Sequence, residues 1–554
     1  MRHLVILLFL GIVIFFAGNN VLPLTNPDEV FYAGTAKEMA VQGTWSTPYI
    51  FDQPQFEKPI LTYDLIRAGY LMFGQTPFAA RFFPALFAWM GMLAVYFLGR
   101  LVYADERKAF MGAFVLMTSA LYIGLAKTVF TDMIFSVFIL LSLAAFYAGY
   151  HDRTRKSASL VLFHIFAALA VLTKGPLGYA IPLAIVLIFL FIKGEQKFIW
   201  SKAFLTGFLL MLLIAVPWYA LMVRLYHNAF THEFFYNDHW RRLLEAEHRS
   251  NDRWYFYPAS MFGCMFPWIF LAAAAFGQAA KAVVVKKADA FQMFLVIWIM
   301  VVLVVFQTAH SKLVSYIFPL FPAMALLSGA YLTERLNRLK RAGWLETATV
   351  SLCLLVPLIM LVAAKKYPLY LPGAAHAGAI IGVEVLFLLA VGVLFFQKKI
   401  KGGIFLAGLQ VPLVLFLALT TSSNISPYIS SQTAVEHLLK NRQVDGKIMA
   451  SKFLIRGVKY FSGKDPVLVN FSDSNFFSPH PVPDLNTQEK LSSFLKSQPV
   501  SYGILNDHTW QALEAFCLKN GFHAELIEKV GNVYIVKVTT VLRLTNISGN
   551  TFSC

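Results

Sequence analysis

The stretch Thr25-Asn26-Pro27-Asp28-Glu29-Val30-Phe31-Tyr32 places two adjacent carboxylates directly after the first long apolar segment of the chain. Ionised side chains at the depth of a membrane are costly, so by default they indicate function. A second interpretation is helix capping, with Asn26 as N-cap of a helix over 27–41 and Glu29 three residues after the cap. The two interpretations are compatible if Glu29 caps the helix and Asp28 faces a substrate.

The composition is that of an integral membrane protein. Of 554 residues, 58% are hydrophobic and only 14% are charged. Apolar runs of about 20 residues, the length that crosses a bilayer, recur along the chain. The formal net charge of +17 does not indicate nucleic-acid binding. Lys and Arg lie mostly in short loops between apolar runs, where the positive-inside bias accounts for them.

These runs predict a polytopic α-helical membrane protein with about thirteen transmembrane helices. The predicted spans are 4–21, 80–99, 109–125, 132–150, 159–172, 176–193, 203–224, 259–280, 290–307, 313–332, 345–364, 376–396 and 403–421. Alternate loops are short and basic, which predicts a cytoplasmic N-terminus and, with an odd number of spans, an external C-terminus. The N-terminal run has no small-residue cleavage site after it, so we interpret it as a retained first span.

The sequence predicts two domains. Residues 1–424 form the membrane domain, whose external segments 22–79 and 225–258 are long, aromatic and rich in both signs of charge. We expect amphipathic helices in the first segment and an interfacial helix or loop in the second. Residues 425–554 predict a small soluble α/β domain on the external side. Its expected strands lie in 447–454, 466–469 and 532–538, and its expected helices in 488–496 and 509–520.

Acidic and basic side chains converge on the predicted external face. A transporter built from inverted repeats would instead place charges near the midplane of the membrane, and a structural scaffold would leave the buried acids without a purpose. We therefore favour an enzyme, with a lipid or sugar transporter as the alternative class. The candidate side chains at this face are Asp28, Glu29, Glu57, Lys58, Asp132, Arg241, Arg242, Lys312 and Tyr316.

These features together resemble the GT-C superfamily of membrane glycosyltransferases. Closer motifs resemble its ArnT-like branch, the aminoarabinose lipid A transferases, which are related to the protein O-mannosyltransferases. The matching stretches, within roughly residues 5–425, are Asp28-Glu29 with Tyr32, Lys37-Glu38-Met39, Phe56-Glu57-Lys58-Pro59-Ile60-Leu61-Thr62-Tyr63, Phe73-Gly74, Ala79-Ala80-Arg81-Phe82, Asp132 and Lys312-Leu313-Val314-Ser315-Tyr316-Ile317-Phe318-Pro319-Leu320-Phe321-Pro322.

The chain departs from the family pattern at three places. Phe31 stands where the family commonly carries Arg, and Asp64 follows Tyr63 where Trp is usual. An Arg that often precedes the second Asp is replaced by Lys127 or is absent. If the missing Arg at position 31 normally holds a phosphate, another cation must do so in this chain.

The resemblance implies transfer of a sugar from an undecaprenyl phosphate donor to an outer-leaflet acceptor, with a lipid A phosphate as the first candidate. A protein hydroxyl or another glycan is the alternative acceptor. The implied location is the bacterial inner membrane, with the C-terminal domain in the periplasm. The implied partners are the donor, the acceptor and membrane lipids, with no nucleic acid.

Asp28 is the candidate catalytic carboxylate. It would act as general base towards a hydroxyl acceptor, or orient a phosphate acceptor and stabilise positive charge at the anomeric carbon. Asp132 is the second catalytic candidate, as an auxiliary carboxylate; its alternative role is the N-cap of the fourth span.

The leaving phosphate gains negative charge, so the site needs fixed cations. Lys58 is the first candidate, followed by Lys312 and one of Arg241 or Arg242. The alternative roles are binding of lipid headgroups by the two arginines and snorkelling of the Lys312 side chain, since both roles are common at interfaces.

Four further side chains complete the predicted substrate-binding set. The resemblance adds Glu29, Tyr63, Arg81 and Tyr316, although tyrosine is also common at membrane interfaces for other reasons. It also offers a divalent metal at Glu57 as an option, but one histidine nearby in sequence is not a metal signature. We expect inversion at the anomeric carbon without an obligatory cofactor or metal.

Overall fold

The computed structural model describes residues 2–246, 249–339, 341–370, 373–471 and 481–540. The chain divides into two compact units. The first comprises Met1–Leu22 and Thr35–Asn424, and the second comprises Pro23–Gly34 and Ile425–Cys554. The segment that carries Asp28 and Glu29 is therefore grouped with the C-terminal part of the chain.

The first unit is almost entirely helical. Its α-helices are Arg2–Phe16, Leu61–Phe73, Pro77–Tyr103, Glu106–Thr118, Ala120–Ala126, Thr131–His151, Lys156–Lys174, Leu177–Lys193, Lys202–Phe230, Arg242–Leu244, Phe256–Cys264, Ile269–Val284, Ala290–Thr308, Phe321–Arg338, Trp344–Lys366, Ala374–Phe396, Ile400–Gly408 and Gln410–Leu419, and helix Asp28–Val41 contributes residues to both units.

The predicted class of helical membrane protein is confirmed. Within the described residues, nine helices are long and apolar enough to cross a membrane, or ten if the bent pair Glu106–Thr118 and Ala120–Ala126 forms one span. Three shorter apolar helices, Arg2–Phe16, Leu177–Lys193 and Ile269–Val284, coincide with further predicted spans. The count of thirteen stays a prediction.

The centre of the first unit is formed by Thr131–His151 and Val314–Arg338. In each of these spans 72% of the apolar window is buried, whereas only 11% is buried in Trp344–Lys366. Breaks in the helices occur beside this centre. A 65° bend separates Glu106–Thr118 from Ala120–Ala126, and a 3₁₀ segment, Val314–Leu320, precedes Phe321–Arg338.

Helix Lys202–Phe230 is kinked near its C-terminal end, at His227, where φ is 45°. The π-helical segment Thr231–Arg241 follows it directly. The segment lies within the predicted external stretch 225–258. Wide π turns are rare and are often found at functional sites. The π-helical segment is therefore a candidate location for functional side chains.

The backbone before Lys58 is fixed by a short hairpin of strands Tyr49–Ile50 and Gln53–Pro54. Its two turn residues, Phe51 and Asp52, have φ values of 56° and 59°. Their amides donate to Glu38 Oε1 and Oε2 over 3.0 and 2.8 Å. One buried carboxylate therefore stabilises a backbone conformation with positive φ, which residues other than glycine rarely adopt.

The second unit contains a six-stranded sheet covered by helices, which confirms the predicted small α/β region. Four strands are parallel, in the spatial order Asp484–Leu485, Pro466–Val469, Ile448–Ala450 and Val500–Asn506. Val533–Thr540 pairs antiparallel with Val500–Asn506, and Phe522–Val530 forms the edge. The helices are Ser422–Ile429, which crosses the unit boundary, Gln432–Asn441, Ile455–Ser462, Gln488–Lys496 and Asp507–Asn520.

Two helices of the first unit cross at backbone contact through glycine. A Cβ atom placed on Gly329 would lie 2.2 Å from the amide nitrogen of Gly112 and 2.5 Å from its Cα. Small residues permit such close crossings in membranes, where packing rather than hydrophobic burial drives helix association. The crossing joins Glu106–Thr118 to Phe321–Arg338, which continues from the segment that carries Tyr316.

We expect Gly329→Ala to destabilise the protein by about 1–3 kcal/mol, because backbone atoms cannot yield to the added methyl group. Gly277→Ala is the matched control, since a Cβ at Gly277 meets nothing within 4 Å among the described residues. Thermal unfolding in detergent measures both. An equal effect of the two substitutions would contradict the close crossing.

Candidate functional site

Asp238 holds two cations at the centre of the candidate site. Lys58 Nζ donates to Asp238 Oδ2, and Arg242 NH1 lies 3.1 Å from Oδ1. Lys58 and Asp238 are both buried, with 8% and 9% of their surfaces exposed. Lys58 also donates to the carbonyl oxygen of Glu57 over 2.8 Å. We call Lys58, Asp238 and Arg242 the Asp238 cluster; it carries two positive charges and one negative charge.

The local sequence explains how the cluster forms. Asp238 and Arg242 are four residues apart on a helical segment, so their side chains share one face. Lys58 precedes Pro59 and helix Leu61–Phe73, so its backbone lies at the end of the hairpin segment fixed by Glu38. The adjacent Arg241 points elsewhere and forms an exposed pair with Glu245, with Nε 2.8 Å from Oε2. Of the two predicted arginines, the structure brings Arg242 into the cluster.

A second ion pair lies beside the cluster. Asp132, in the first turn of Thr131–His151, accepts a 2.6 Å hydrogen bond from Nζ of Lys174, the last residue of Lys156–Lys174. Lys174 Nζ also lies 4.8 Å from the ring centroid of Tyr316, while Arg242 NH1 donates to the Tyr316 hydroxyl over 3.4 Å. Tyr316 therefore connects this pair to the Asp238 cluster. Phe130, not Asp132, occupies the N-cap position of the helix.

Lys312 lies on a loop that is hydrogen-bonded to the end of the same helical segment. The amides of His310 and Ser311 donate to the carbonyl oxygens of Leu243 and Arg242. Lys312 Nζ donates to Asp252 Oδ1 over 2.6 Å and to the carbonyl oxygen of Ala309 over 2.7 Å. The side chain is buried, with 4% of its surface exposed, so it does not extend to solvent.

The carboxylate of Asp252 organises this loop. Its Oδ2 lies 2.8 Å from His310 Nδ1, and its Oδ1 accepts from Lys312. The hydrogen bonds from Lys312 and then from His310 hold the pKa of Asp252 below its usual range. Asp252 therefore stays ionised and keeps the lysine ammonium in place.

Arg81 and Lys127 lie at the C-terminal end of the first helix. Arg81 NH1 donates to the carbonyl oxygens of Asn19 and Leu22 over 3.0 and 2.7 Å. Lys127 Nζ donates to the carbonyl oxygen of Ala17 over 2.6 Å. The accepting residues all follow Phe16, where the helix ends, so the two cations hold the segment that leaves the helix. Substrate binding by Arg81 stays a prediction.

In the second unit, helix Asp28–Val41 begins at Asp28 itself. Glu29 is fully buried, and its Oε2 accepts hydrogen bonds from Thr25 N and Oγ1 over 3.0 and 2.9 Å. The capping partner is therefore Thr25 and not Asn26, whose side chain binds Ser431. Asp28 lies in the first helical turn, where the helix dipole stabilises a carboxylate.

The contacts that the structure gives for Tyr63 and Glu57 do not define a ligand-binding role for either residue. Tyr63 is fully buried on Leu61–Phe73. Among the described residues, no group of three or more His, Cys, Asp and Glu side chains is arranged to hold a metal ion. The backbone amide of Glu57 donates to Gln55 Oε1 over 2.9 Å. A metal at Glu57 stays a prediction.

The sequence alone did not identify Asp238 and Lys174 as functional candidates. A signal for Asp238 was present, since an acid four residues before Arg242 in a helical segment is placed to pair with it. A signal for Lys174 is the glycine that follows it. Gly175 has φ 116°, and a Cβ there would lie 2.5 Å from His239 Nε2. Only glycine accommodates both the positive φ and the close approach of the His239 ring at this position.

Asp64, which departs from the family pattern, has an unusual environment. Burial raises the pKa of its carboxyl to about 7, and the opposing charge of Arg67 one turn later lowers it only in part. Oδ1 is buried and has no hydrogen-bond partner within the described part of the chain. The carboxyl is therefore close to its midpoint of protonation at neutral pH.

Comparisons with known proteins bear on the fold and on the family that the motifs resemble. The family model for dolichyl-phosphate-mannose-protein mannosyltransferases matches residues 2–232. An undecaprenyl phosphate-alpha-4-amino-4-deoxy-L-arabinose arabinosyl transferase of Enterobacter sp. (strain 638) is 28% identical over 63% of this chain and 63% of its own length. A second transferase of that name, from Pseudomonas fluorescens (strain Pf0-1), is 30% identical over 62% of each chain. Each match spans less than two thirds of the relative.

A solved structure shows the same fold over nearly the whole chain. The crystal structure of ArnT from Cupriavidus metallidurans bound to undecaprenyl phosphate has a TM-score of 0.79 and 21% sequence identity. The match covers 96% of this chain and 97% of that protein. This match shows the fold. Together with the family model and the two relatives, it confirms the resemblance to ArnT-like glycosyltransferases that the motifs indicated.

We expect Asp238→Asn to lower the free energy of unfolding by about 3–5 kcal/mol, because it leaves buried cations without their counterion. Glu245→Gln is the matched control on the same segment. It breaks only the exposed pair with Arg241, which is worth about 0–1 kcal/mol. Unfolding in mixed micelles with increasing dodecyl sulfate measures both variants. Similar losses for the two would show that Asp238 is not the anchor of the cluster.

Asp64 should make stability depend on pH near neutrality. Because its folded-state pKa is raised, its contribution is fully present below the ordinary pKa of an aspartate and is lost as pH rises through about 7. In Asp64→Asn this component is absent, so the melting temperature should fall less between about pH 5 and pH 8 than in the wild type. Exposed Asp445→Asn is the control. Identical pH profiles for wild type and Asp64→Asn would refute the assignment.

Proposed function

We propose that this chain, whose fold and motifs are those of ArnT-like GT-C glycosyltransferases, transfers a sugar from a polyprenyl phosphate donor to an outer-leaflet acceptor. Undecaprenyl phosphate is the first candidate carrier, and a phosphate group of lipid A is the first candidate acceptor. The names of the relatives support 4-amino-4-deoxy-L-arabinose as the sugar.

The observation that carries the proposal is the Asp238 cluster. Two cations share one buried carboxylate, so the cluster keeps a net positive charge in a largely water-free environment. A phosphate that leaves a sugar gains negative charge in the transition state, and fixed cations in such a site stabilise that charge without reorganisation. Arg242 can bind phosphate through two N–H groups, and Lys58 adds a point charge.

The proposed reaction is a single displacement. An oxygen of the acceptor phosphate attacks the anomeric carbon, and the bond from that carbon to the donor phosphate oxygen breaks. The electron pair of this bond leaves with the polyprenyl phosphate. The acceptor is already anionic, so no proton has to be removed from it. Configuration at the anomeric carbon is inverted because the nucleophile approaches opposite the leaving group.

Asp28 is the proposed catalytic carboxylate, and its role depends on the acceptor. Its carboxylate would orient the acceptor or stabilise the positive charge that develops at the anomeric carbon. Towards a hydroxyl acceptor the same carboxylate would take the proton. Asp132 would bind the amino group of an amino sugar, while Lys174 orients the Asp132 carboxylate through its 2.6 Å hydrogen bond.

The proposal includes the location of the enzyme. We infer the periplasmic face of a bacterial inner membrane, with the N-terminus in the cytoplasm and residues 425–554 in the periplasm. The short basic loops support this orientation. The scheme takes its positive charges from Lys58, Arg242 and Lys312 and routes no step through a metal ion.

A protein hydroxyl is the second candidate acceptor. The match of residues 2–232 to the protein mannosyltransferase model favours it over other glycans. In that case the same donor chemistry operates, and Asp28 acts as general base. The two acceptors therefore predict different pH profiles for transfer, since only the hydroxyl requires a base.

The test is sugar transfer in reconstituted membranes, with mass spectrometry of lipid A and of membrane proteins. We expect Asp28→Asn to remain folded but to lose at least about 100-fold in kcat, the usual minimum when a fixed group that stabilises transition-state charge is removed. Exposed Asp445→Asn controls for loss of a carboxylate. Equal transfer by wild type and Asp28→Asn would contradict the role of Asp28, and no transfer from any polyprenyl donor would favour the transporter.

A further inference from the structure

A carboxyl group is buried near the middle of a membrane-spanning helix of the first unit. Glu384 belongs to Ala374–Phe396, a helix of 23 residues, and its side chain is fully buried. An ionisable side chain at this depth in a membrane is costly, so it usually has a function and a partner. The proposed sugar transfer does not use Glu384. Its role therefore follows from its own surroundings.

The partner of Glu384 is Gln410, which is also fully buried. Gln410 Nε2 donates to Glu384 Oε2 over 3.2 Å and to the carbonyl oxygen of Cys353 over 3.0 Å. Pro357 explains the second contact. Proline has no N–H group, so the Cys353 carbonyl lacks the helical donor that normally comes from four residues later. The Gln410 amide replaces that donor, which fixes the orientation of the amide.

The donors and acceptors of this group do not balance. The amide nitrogen of Gln410 has two N–H bonds, and one serves Cys353 while the other serves Glu384. Glu384 Oε1 and Gln410 Oε1 are both buried and have no hydrogen-bond partner in the described part of the chain. An ionised carboxylate and an amide oxygen only accept hydrogen bonds. Two buried acceptors therefore lack a donor.

A negative charge on Glu384 would also have no counterion. Among the residues that the structure describes, no lysine, arginine or histidine pairs with it. Glu346, on Trp344–Lys366, shows the contrast, because it is also fully buried. Its oxygens accept from Arg335 Nε and NH2 over 2.5 and 3.3 Å and from the Gly343 amide over 3.0 Å. A guanidinium thus matches the charge of one buried glutamate and not of the other.

A single proton meets both requirements. Bound to Glu384, it removes the charge and provides an O–H group that can donate to the amide oxygen of Gln410. A water molecule would supply donors but would leave an unpaired charge in apolar surroundings, which costs far more than burying a neutral acid. A divalent cation would need about six or more oxygen ligands, whereas only two oxygens lack donors here.

We propose that Glu384 is a proton-binding site within the membrane unit, where the bound proton joins it to Gln410 as a neutral acid–amide pair. With the contact to Cys353, the pair connects Trp344–Lys366, Ala374–Phe396 and Gln410–Leu419. Only 11% and 22% of the apolar windows of the first two helices are buried, so protein packing covers little of their surface. The proton is a structural ligand of these three helices, independent of the sugar-transfer reaction.

The test is infrared difference spectroscopy of the full chain in lipid membranes at neutral pH, wild type minus Glu384→Gln. The introduced amide can donate an N–H to Gln410 Oε1 where the acid donates its O–H, so we expect the variant to fold and to keep the wild-type melting temperature. The difference spectrum should contain the C=O stretching band of a protonated carboxylic acid. Carboxylate bands in its place would overturn the proposal.

Glu346→Gln is the matched control, since it removes a fully buried glutamate that has a cationic partner. We expect its difference spectrum to contain carboxylate bands and no band of a protonated acid. Gln410→Leu tests the pair itself. The acid band of Glu384 should remain in this variant but move to higher wavenumber, because its carbonyl no longer accepts from Gln410. An acid band at the wild-type position would show that Gln410 is not the partner.

Melting temperatures in different salts separate a proton from a metal cation. A cation that binds only the folded protein raises the melting temperature as its concentration increases. With sodium, potassium, magnesium or calcium chloride compared at constant ionic strength, we expect wild type and Glu384→Gln to shift equally. A rise confined to the wild type would identify a metal cation at Glu384 and overturn the proton assignment.

Discussion

The charge arrangement of the membrane unit depends on the carboxylate of Asp238. Removing a lysine and an arginine from water costs several kcal/mol for each ion, and only a well-placed counterion offsets that cost. Asp238 performs this role for Lys58 and Arg242 together, leaving one positive charge in excess. A buried site that must receive a phosphate needs such an imbalance, because a fully neutral cluster would have no charge left to stabilise the ligand. The same arrangement links the hairpin segment, the π-helical segment and, through Tyr316, the pair Lys174–Asp132.

Much of this could be predicted from the sequence, because membrane proteins restrict where charges occur. Lys58, Asp132, Arg242 and Tyr316 were identified from their common side of the membrane and from family motifs. The pairing of charges was predictable only in part, since the four-residue spacing of Asp238 and Arg242 is a local signal and the pairs with Lys58 and Lys174 have none. Arg241 and Arg242 look equivalent in sequence, but a rotation of one residue along the helical segment directs Arg242 inward and leaves Arg241 in an exposed pair. Lys174 was missed because its ion-pair partner, Asp132, is distant in sequence.

In the C-terminal unit, too, local sequence patterns predicted some elements and left out those that depend on distant residues. Strands with apolar alternation and the helices Gln488–Lys496 and Asp507–Asn520 were predicted, because their periodicity is local. Strands Val500–Asn506 and Phe522–Val530 were missed, the second because its charged residues favour helix over strand when composition alone is considered. The grouping of segment 23–34 with this unit has no local signature. It depends on the close approach of Gly457 to Asn26 and on the contact between Phe31 and Arg456. Neither contact can be predicted from one residue alone, because its partner is distant in sequence.

The contrast between buried and exposed ion pairs has a consequence for the medium in which the protein works. Dissolved ions screen exposed charges over about 8 Å at physiological ionic strength, but they screen buried pairs much less. The pair Arg241–Glu245 is open to such screening, whereas Lys58–Asp238 and Lys174–Asp132 are shielded. The two buried pairs should therefore keep nearly the same strength when the salt concentration around the protein changes, whereas the exposed pair should weaken.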